Sequence, residues 1–351
     1  LMAETATDLV ILGPSTNMLW LTGVDPHGDE RPVLTVVSAD FAGFLMPALN
    51  ADMARQHTDL PFHEWADAEG PAEALSALLD AADAKRPGLC IVLDETMRAD
   101  FALMVLDALD SPKRRFTADT IGRLRAMKDE NEADLLRACA RLNDDAVRHA
   151  ITKLQPGMSE RDLQAVIHDY YKAHGAKPEF TIIGFGANGA FPHHHAGDTV
   201  LQDDMAILID TGCRIGGYPS DMTRSFWFGP NEPEEYKKVR RVVNEAVEAA
   251  MLAARPGVKA CDVDKAARRV IEEAGYGPRF VHRLGHGLGI DVHETPYITA
   301  TSEGRLEAGN VFSIEPGIYL TGNFGVRLEE IVILRDNGPE IFSGLERVLD
   351  L

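Results

Sequence analysis

Two aspartates in residues 206–228 occupy positions where they could bind a cation. In AILIDTGCRIGGYPSDMTRSFWF an apolar run ends at Asp210, Thr211 and Gly212 predict a turn, and a second β-rich run begins at Asp221. The pattern predicts two neighbouring strands that each present a carboxylate. An unpaired buried carboxylate costs several kcal/mol or takes up a proton, and a bound cation removes that cost. The alternative is a pair of exposed aspartates in turns.

A repeat within the sequence relates this stretch to a second one. LQPGMSERDLQAVIHDYYKAHG, from Leu154, aligns with ARPGVKACDVDKAARRVIEEAG, from Ala254, at a constant offset of 100 residues. The same offset relates His193 to His293 further along the chain. An ordered series of such matches indicates two similar half-units.

The repeat also pairs the acidic residues. The offset grows to 105 where Asp210 matches Glu315, and to 108 where Asp221 matches Glu329. If the two halves pack about a pseudo-two-fold axis, these four carboxylates meet near it. Their mutual repulsion forbids that arrangement without cations.

One histidine completes the predicted ligand set. His286 lies between two glycines in HGLGIDVH, so its backbone can approach a neighbouring chain closely, although a structural role is the alternative. An oxygen-rich set with one nitrogen suits two divalent ions, Mn²⁺ or Co²⁺ with Zn²⁺ as a further option, better than a closed structural zinc site. Two ions about 3.5–4 Å apart can share a hydroxide and polarise a carbonyl. The predicted metal ligands are Asp210, Asp221, His286, Glu315 and Glu329.

Hydrolysis also requires groups that carry protons. The candidates are His193, His282 and His293, because an imidazole titrates near neutral pH. FPHHHAGD contains three consecutive histidines, and we expect His194 and His195 only to decorate a loop. Only His193 of these three has a counterpart in the other half.

The elements that position these residues follow from apolar spacing. Residues 8–12, 32–37 and 89–93 read as strands, and residues 71–84 and 99–109 have helical spacing, which predicts an N-terminal α/β domain. We place the boundary so that residues 1–122 form this domain, with roles in dimerisation and as one wall of a cleft. Residues 123–351 form the catalytic domain. It begins with a helix over 129–154, and Ser159 with Asp162 predicts the start of the next helix.

Composition excludes several classes of function. The 351 residues carry a net charge of -20, which argues against a nucleic-acid footprint and against anionic membranes. No apolar run is long enough for a membrane span, and no signal-peptide pattern stands at the start, so we expect a cytoplasmic protein. The four cysteines show no CxxC spacing and predict neither a disulfide framework nor a zinc ribbon.

The motifs IDTG, SDMTRSF, HRLGHGLGIDVHE, SIEPGIY and GVRLEE, in this order, resemble those of the creatinase/methionine-aminopeptidase ("pita-bread") superfamily. The similarity is strongest to its proline-specific branch, prolidase (Xaa-Pro dipeptidase) and aminopeptidase P. It covers about residues 127–351, and PSTNMLWLTGV resembles the N-terminal domain of the same branch. The resemblance implies an α/β (α+β) protein with a creatinase-like N-terminal domain and a C-terminal pita-bread domain that contains a pseudo-two-fold repeat.

The resemblance also assigns roles. All five family metal ligands fall on the set predicted above, and Glu315 would in addition relay the proton of the attacking water. Arg327 would brace a ligand carboxylate. The implied catalytic residues are His193, His282, His293, Glu315 and Arg327.

Together with the predicted metal site, the resemblance implies a dimeric two-metal exopeptidase that cleaves short peptides with proline at the second position. Xaa-Pro dipeptidase is the first choice. Aminopeptidase P is the alternative, because HETP is followed by Tyr297, where some prolidases have an arginine suited to the substrate carboxylate. Two rivals of other classes are a two-metal phosphoesterase, which lacks an evident basic clamp here, and a non-catalytic pita-bread binding protein.

Overall fold

The chain folds as two units, which are described separately. The computed structural model describes residues 1–349, and its units are Leu1–Arg125 and Ala126–Leu351. The division lies near residue 122, where the sequence predicted a boundary. Within the described residues no helix combines the length and apolarity that crossing a membrane would require.

The first unit contains one six-stranded sheet, ordered β4-β3-β2-β1-β5-β6. Pairs β1–β5, β5–β6 and β3–β4 are parallel, and β1–β2 and β2–β3 are antiparallel. Its elements are β1 (Leu9–Leu12), α1 (Thr16–Thr22), β2 (Leu34–Val37), β3 (Ala42–Pro47), α2 (Ala48–Ala54), β4 (Phe62–Trp65), α3 (Ala72–Ala81), β5 (Cys90–Leu93), α4 (Ala99–Asp107), β6 (Lys113–Phe116) and α5 (Ile121–Ala126).

The central strands of this sheet, β3, β2, β1 and β5, are buried on both faces. Along β1, Leu9 and Ile11 belong to one apolar cluster, whereas Val10 and Leu12 belong to another. Successive side chains of a strand point to opposite faces, so a strand that is apolar at every position needs a cover on each side. The strands and helices predicted in this domain are confirmed within a few residues at each end.

The second unit consists of two helix pairs packed on antiparallel sheets. The sheets are β10-β8-β7 with β9 beside β8, β12-β11-β13-β16-β17, and the pair β14-β15. The elements are α6 (Glu130–Ile151), α7 (Glu160–Ala173), β7 (Lys177–Phe185), β8 (Met205–Ile215), β9 (Tyr218–Pro219), β10 (Met222–Phe228), α8 (Glu234–Ala253), α9 (Ala260–Glu273), β11 (Gly285–Gly287), β12 (Glu294–Ile298), β13 (Val311–Ile314), β14 (Gly317–Leu320), β15 (Phe324–Arg327), β16 (Glu330–Arg335) and β17 (Gly338–Ile341).

The internal repeat is visible in these elements. Helices α7 and α9 span 160–173 and 260–273, so their bounds differ by the offset of 100 read from the sequence. Helices α6 and α7 share an apolar cluster with β7, β8 and β10, and α8 and α9 share another with β13 and β16. Each half is thus a helix pair on a sheet, as the predicted fold class requires.

The helix starts follow from local capping. Ser159 accepts a hydrogen bond from the Asp162 backbone N–H, and the Asp162 carboxylate accepts one from the Ser159 N–H at 2.9 Å. Asp129 and Glu132 form the same reciprocal pair at the start of α6. Each box satisfies backbone donors that no helical carbonyl can reach.

One predicted turn is wrong. Thr211 and Gly212 do not turn the chain, because β8 continues to Ile215 and the turn falls at Gly216 and Gly217, where φ is +57° and +87°. Gly212 serves close packing instead, since a Cβ there would lie 2.1 Å from the Ser220 carbonyl oxygen.

The strands of the two halves meet beside the acidic residues. The Glu329 N–H donates to the Thr223 carbonyl at 3.1 Å, and Ser225 Oγ donates to the Arg327 carbonyl at 2.9 Å. The backbone of β15 also approaches the turn at residues 186–190, where a Cβ on Gly325 would lie 1.9 Å from the Gly189 carbonyl oxygen.

We expect Gly325→Ala to lower the free energy of unfolding by about 1–3 kcal/mol, since backbone rather than a flexible side chain must move. Gly304→Ala is the matched control, because a Cβ there meets no atom within 4 Å and its φ is not positive. Calorimetric melting would compare the two, and an equal Tm would contradict the close approach.

Candidate metal centre and active site

Four acidic residues line one cavity because equivalent strands of the two halves present them. Asp210 lies within β8, opposite Thr223 of β10, and Asp221 immediately precedes β10. In the second half Glu315 follows β13 and Glu329 precedes β16. The four acidic residues therefore lie close together because equivalent strands of the two halves carry them, as expected from the repeat.

The histidine of the ligand set stands on a closely packed strand. A Cβ on Gly285 would lie 1.9 Å from the Ser313 carbonyl oxygen, and one on Gly287 would lie 2.2 Å from that of Thr295. His286 Nδ1 donates to the Gly287 carbonyl at 3.1 Å. Its Nε2 therefore faces the carboxylates as a lone-pair donor whenever the ring is neutral.

The structure brings most of the predicted ligands together directly. Ligand atoms of Asp221, His286 and Glu329 all lie within 4.8 Å of one another. His286 Nε2 is 3.2 Å from Glu315 Oε1 and 3.7 Å from Asp221 Oδ2. Asp210 stands beside this group, with its Oδ2 paired to the Arg327 guanidinium.

Burial and like charge perturb the acids. Burial raises the pKa of Asp221 well above its ordinary range, and the charge of Asp210 adds to the rise. Burial likewise raises the pKa of Glu329, with Asp221 as the largest charge contribution. Burial would also raise the pKa of Glu315, but its hydrogen bond to His286 and the charge of that ring lower it to about 2. The cluster carries more negative charge than the chain itself balances.

A divalent metal fits these residues. Asp210 Oδ1 and Glu329 Oε1 are among the buried side-chain oxygens of residues 1–349 that have no hydrogen-bond partner. Buried carboxylate oxygens without partners are expensive, and a bound cation satisfies them. Three or more carboxylates with one imidazole match the ligand preference of Mn²⁺-like ions.

Arg327 links the acids to two further side chains. Its guanidinium contacts Asp210, donates from Nη1 to Tyr319 Oη at 2.8 Å, and donates from Nε to Thr223 Oγ1 at 3.1 Å. Thr223 Oγ1 in turn donates to Glu329 Oε2 at 2.8 Å. Arg327 thus fixes one carboxylate directly and a second through a hydroxyl.

His282 has both ring nitrogens engaged. Nδ1 lies 2.7 Å from the Arg283 carbonyl oxygen and must donate to it, so in the neutral ring Nε2 accepts from Tyr319 Oη at 2.7 Å. Burial lowers the pKa of His282, which favours that neutral form. Tyr319 is itself buried, and burial raises its pKa to about 12.

The other two histidines have fewer constraints. His293 makes a T-shaped contact with His286, with ring centroids 4.1 Å apart. Burial lowers the pKa of His293 to about 4, and the charge of His286 acts in the same direction. His193 is exposed and lines the cavity.

The expectation that His194 only decorates a loop is wrong. His194 Nε2 lies 2.8 Å from Oε2 of Glu160, a fully buried carboxylate at the start of α7. His195 is exposed and lines the cavity.

Every residue that the sequence predicted for the site lines a single cavity of about 760 Å³. Three residues that hold it together were not predicted: Tyr319, Thr223 and Glu160. Tyr319 stands in SIEPGIY and Thr223 in SDMTRSF, so their motifs were recognised although their contacts were not.

An enclosed cluster of acids and one imidazole, set between two similar halves, defines a class of metal-dependent hydrolases. Comparison with known proteins agrees. Residues 134–336 match "Metallopeptidase family M24", and residues 1–116 match "Creatinase/Prolidase N-terminal domain". The chain belongs to metallopeptidase family M24, and membership implies the use of divalent metal. The resemblance and the fold class predicted from the sequence are confirmed.

Relatives are similar over nearly the whole chain. The Xaa-Pro dipeptidase of Pyrococcus furiosus is 32% identical over 99% of this chain and 97% of that protein. A dipeptidase structure from Pyrococcus horikoshii is 35% identical, with a TM-score of 0.89 over 99% of this chain and 98% of that one. Dipeptidase PepE of Mycobacterium ulcerans is 31% identical, with a TM-score of 0.93 over 99% and 94%.

We predict that Thr223→Val weakens Mn²⁺ binding about 10–100-fold, because it removes the hydroxyl that orients Glu329 and receives Arg327 Nε. Calorimetric titration of metal-free protein would measure the affinity. Thr301→Val, at an exposed threonine outside the cavity, should leave it unchanged. Equal affinity in both variants would contradict a role for Thr223 in orienting Glu329.

Proposed function

We propose that this chain is an Xaa-Pro dipeptidase (prolidase), a metal-dependent exopeptidase that hydrolyses the bond between an N-terminal residue and proline. The observation that carries the proposal is the buried cluster of Asp221, His286, Glu329 and Glu315 in a chain similar throughout to named Xaa-Pro dipeptidases. A non-catalytic binding protein would have no need of buried carboxylate oxygens left without partners.

The residues that would hold two divalent ions, with Mn²⁺ first and Co²⁺ or Zn²⁺ as alternatives, are Asp210, Asp221, His286, Glu315 and Glu329. When bound, the ions would polarise the scissile carbonyl and lower the pKa of water. The raised pKa values of Asp221 and Glu329 support this proposal, since burial beside other carboxylates disfavours their ionised forms and a bound cation would offset that cost.

The side chains of this chain divide the remaining work. Glu315 accepts the proton of the attacking water and delivers it to the proline nitrogen as the bond breaks. His293 is uncharged at neutral pH, and its ring forms no hydrogen bond within residues 1–349, so its N–H is available to the developing oxyanion. His282 already donates to the Arg283 carbonyl and accepts from Tyr319, which makes it the weaker candidate for that role. His193 lines the cavity, where it can meet the substrate.

A requirement for proline follows from its chemistry. The scissile nitrogen of an Xaa-Pro bond carries no N–H, so a cavity that offers that nitrogen no acceptor favours proline.

Product analysis tests the proposal. Purified protein with Mn²⁺ should release proline from Ala-Pro faster than it releases alanine from Ala-Pro-Ala, while a chelator or Asp221→Ala should abolish both reactions. Preference for the tripeptide would instead indicate aminopeptidase P. Turnover that persists in metal-free protein would contradict the mechanism, and activity on neither peptide would favour the non-catalytic alternative.

Arg283 supports a preference for dipeptides. Two guanidinium groups line the cavity, and that of Arg327 is buried among Asp210, Tyr319 and Thr223. Arg283 is half-exposed, and its guanidinium carbon lies 4.7 Å from the ring centroid of Tyr297. No carboxylate lies within 4.0 Å of Arg283 in residues 1–349. Stacking holds the guanidinium plane while its N–H groups stay available for a carboxylate.

We expect Arg283→Gln to raise the KM for Ala-Pro about 10–100-fold, because the substrate carboxylate would lose one charge-assisted hydrogen bond. Ala-Pro-amide, which has no free carboxylate, should be affected little. Arg279→Gln removes an exposed arginine outside the cavity and is the matched control. Steady-state kinetics with both substrates would measure the difference, and equal losses on both would exclude Arg283 as the carboxylate anchor.

The homodimer, the cytoplasmic location and the roles of residues 1–122 in dimerisation and as a cleft wall are further parts of this proposal. Exposed apolar side chains on α2, Leu49 and Met53, support a contact surface in that domain. Light scattering of the purified protein would measure its mass in solution.

A further inference from the structure

Glu160 is a fully buried carboxylate that contacts neither a predicted metal ligand nor an arginine or lysine within the described residues. It occupies the first position of α7. Its Oε1 accepts from the Phe185 N–H at 2.9 Å and from Asn188 Nδ2 at 2.8 Å. Its Oε2 accepts from the Gly197 N–H at 2.8 Å and lies 2.8 Å from His194 Nε2.

All four partners belong to residues 185–197, the segment that carries His193. The backbone at the start of α7 joins the same segment, since the Arg161 N–H donates to the Gly197 carbonyl at 3.2 Å. The Glu160 N–H donates to the carbonyl of Thr199, two residues beyond the segment, at 3.1 Å. His193 itself is exposed and is held through its neighbours.

A carboxylate suits this position better than an amide of the same shape. Phe185, Asn188 and Gly197 can only donate to it, and His194 completes the set when its Nε2 carries the proton. An ionised carboxylate accepts at both oxygens, whereas a glutamine would direct its NH₂ group at two donors. Buried donors that lose their acceptor are costly, so the segment would move.

The second half holds His282 in a comparable way with different residues. Asp264 on α9 is fully buried, accepts from the Leu284 N–H at 3.1 Å and pairs with Arg268 at 2.9 Å. Arg268 donates to the His282 carbonyl at 3.0 Å. At the repeat offset Glu160 corresponds to Ala260, so the two halves reach the same result from different helix positions.

We propose that Glu160 and His194 are positioning residues that set the place of the His193 imidazole in the cavity. The inference rests on the proposed function, in which His193 meets the substrate. Glu160 is not among the residues that line the cavity, and His194, which does line it, directs its Nε2 at Glu160. Both are therefore assigned a role that acts through His193.

A double-mutant cycle tests this. Glu160→Gln should lower kcat for Ala-Pro at least ten-fold with metal content unchanged. In a His193→Ala background the same change should cost less than two-fold, because the group it positions is already absent. An equal loss in both backgrounds, or a loss of bound metal, would overturn the proposal.

His194 supplies a second, milder series. His194→Ala removes the side-chain donor to Glu160 and should lower kcat, whereas His194→Gln retains an N–H and should restore most of it. Val247→Ala changes a buried residue of α8 and is the control for lowered stability. If it lowers the Tm as much as His194→Ala does, its kcat should still be unchanged. A kcat for His194→Gln no higher than that for His194→Ala would contradict the proposal that His194 helps to position His193.

A measurement that does not depend on turnover tests the positioning role of Glu160 separately from the proposed peptidase function. The imidazole NMR signals of His193, assigned by its substitution, should shift or broaden in Glu160→Gln. Unchanged signals would overturn the positioning role of Glu160 even if the enzyme is active. Signals that shift in a protein that cleaves no Xaa-Pro peptide would support the positioning role and refute the proposed peptidase function.

Discussion

The mutual repulsion of four carboxylates in one cavity is the constraint on which the rest of the structure depends. The chain offsets it only in part: Arg327 pairs with Asp210, and His286 lies against Glu315. Asp210 Oδ1 and Glu329 Oε1 remain without partners in the described structure. Burial raises the pKa values of Asp221 and Glu329, and the charges of neighbouring carboxylates add to the rise. Buried ionised carboxylates are destabilising unless a cation neutralises them. The burial that destabilises the ionised site without a cation therefore also favours binding of a metal ion.

Holding repelling groups in place requires a rigid frame, and the two antiparallel half-units provide it. The acids stand on or beside β8, β10, β13 and β16, whose apolar faces are fixed by helix pairs. The halves are joined by a backbone hydrogen bond, from the Glu329 N–H to the Thr223 carbonyl, and not by side chains alone. Glycines at 189 and 325 allow the backbones to approach as closely as that frame demands.

The sequence predicted those parts of the fold that local pattern encodes. Continuous apolar runs such as 9–12 and the capping residues Ser159 and Asp162 determine their elements within a few residues. The repeat then predicted that residues far apart in the chain, such as Asp210 and Glu315, lie close together in the structure. What local pattern does not encode was missed: Glu160 meets partners 25 to 37 residues away, and β6, exposed at every position, has no apolar signal. The turn placed at Thr211 was wrong because Gly212 serves packing and not a bend.

The three histidines that the sequence predicted as catalytic, His193, His282 and His293, are not equivalent, and their surroundings explain why. His282 donates at one nitrogen and accepts at the other, so a substrate must displace Tyr319 to use it. His293 is pushed toward neutrality by burial and by His286, which leaves an uncharged donor beside the acids. His193 has the most freedom and therefore depends on how its segment is held. In the proposed function His193 adapts to the substrate and so cannot also be fixed by contacts of its own. The proposal therefore assigns the fixed carboxylate to Glu160, on the neighbouring helix α7.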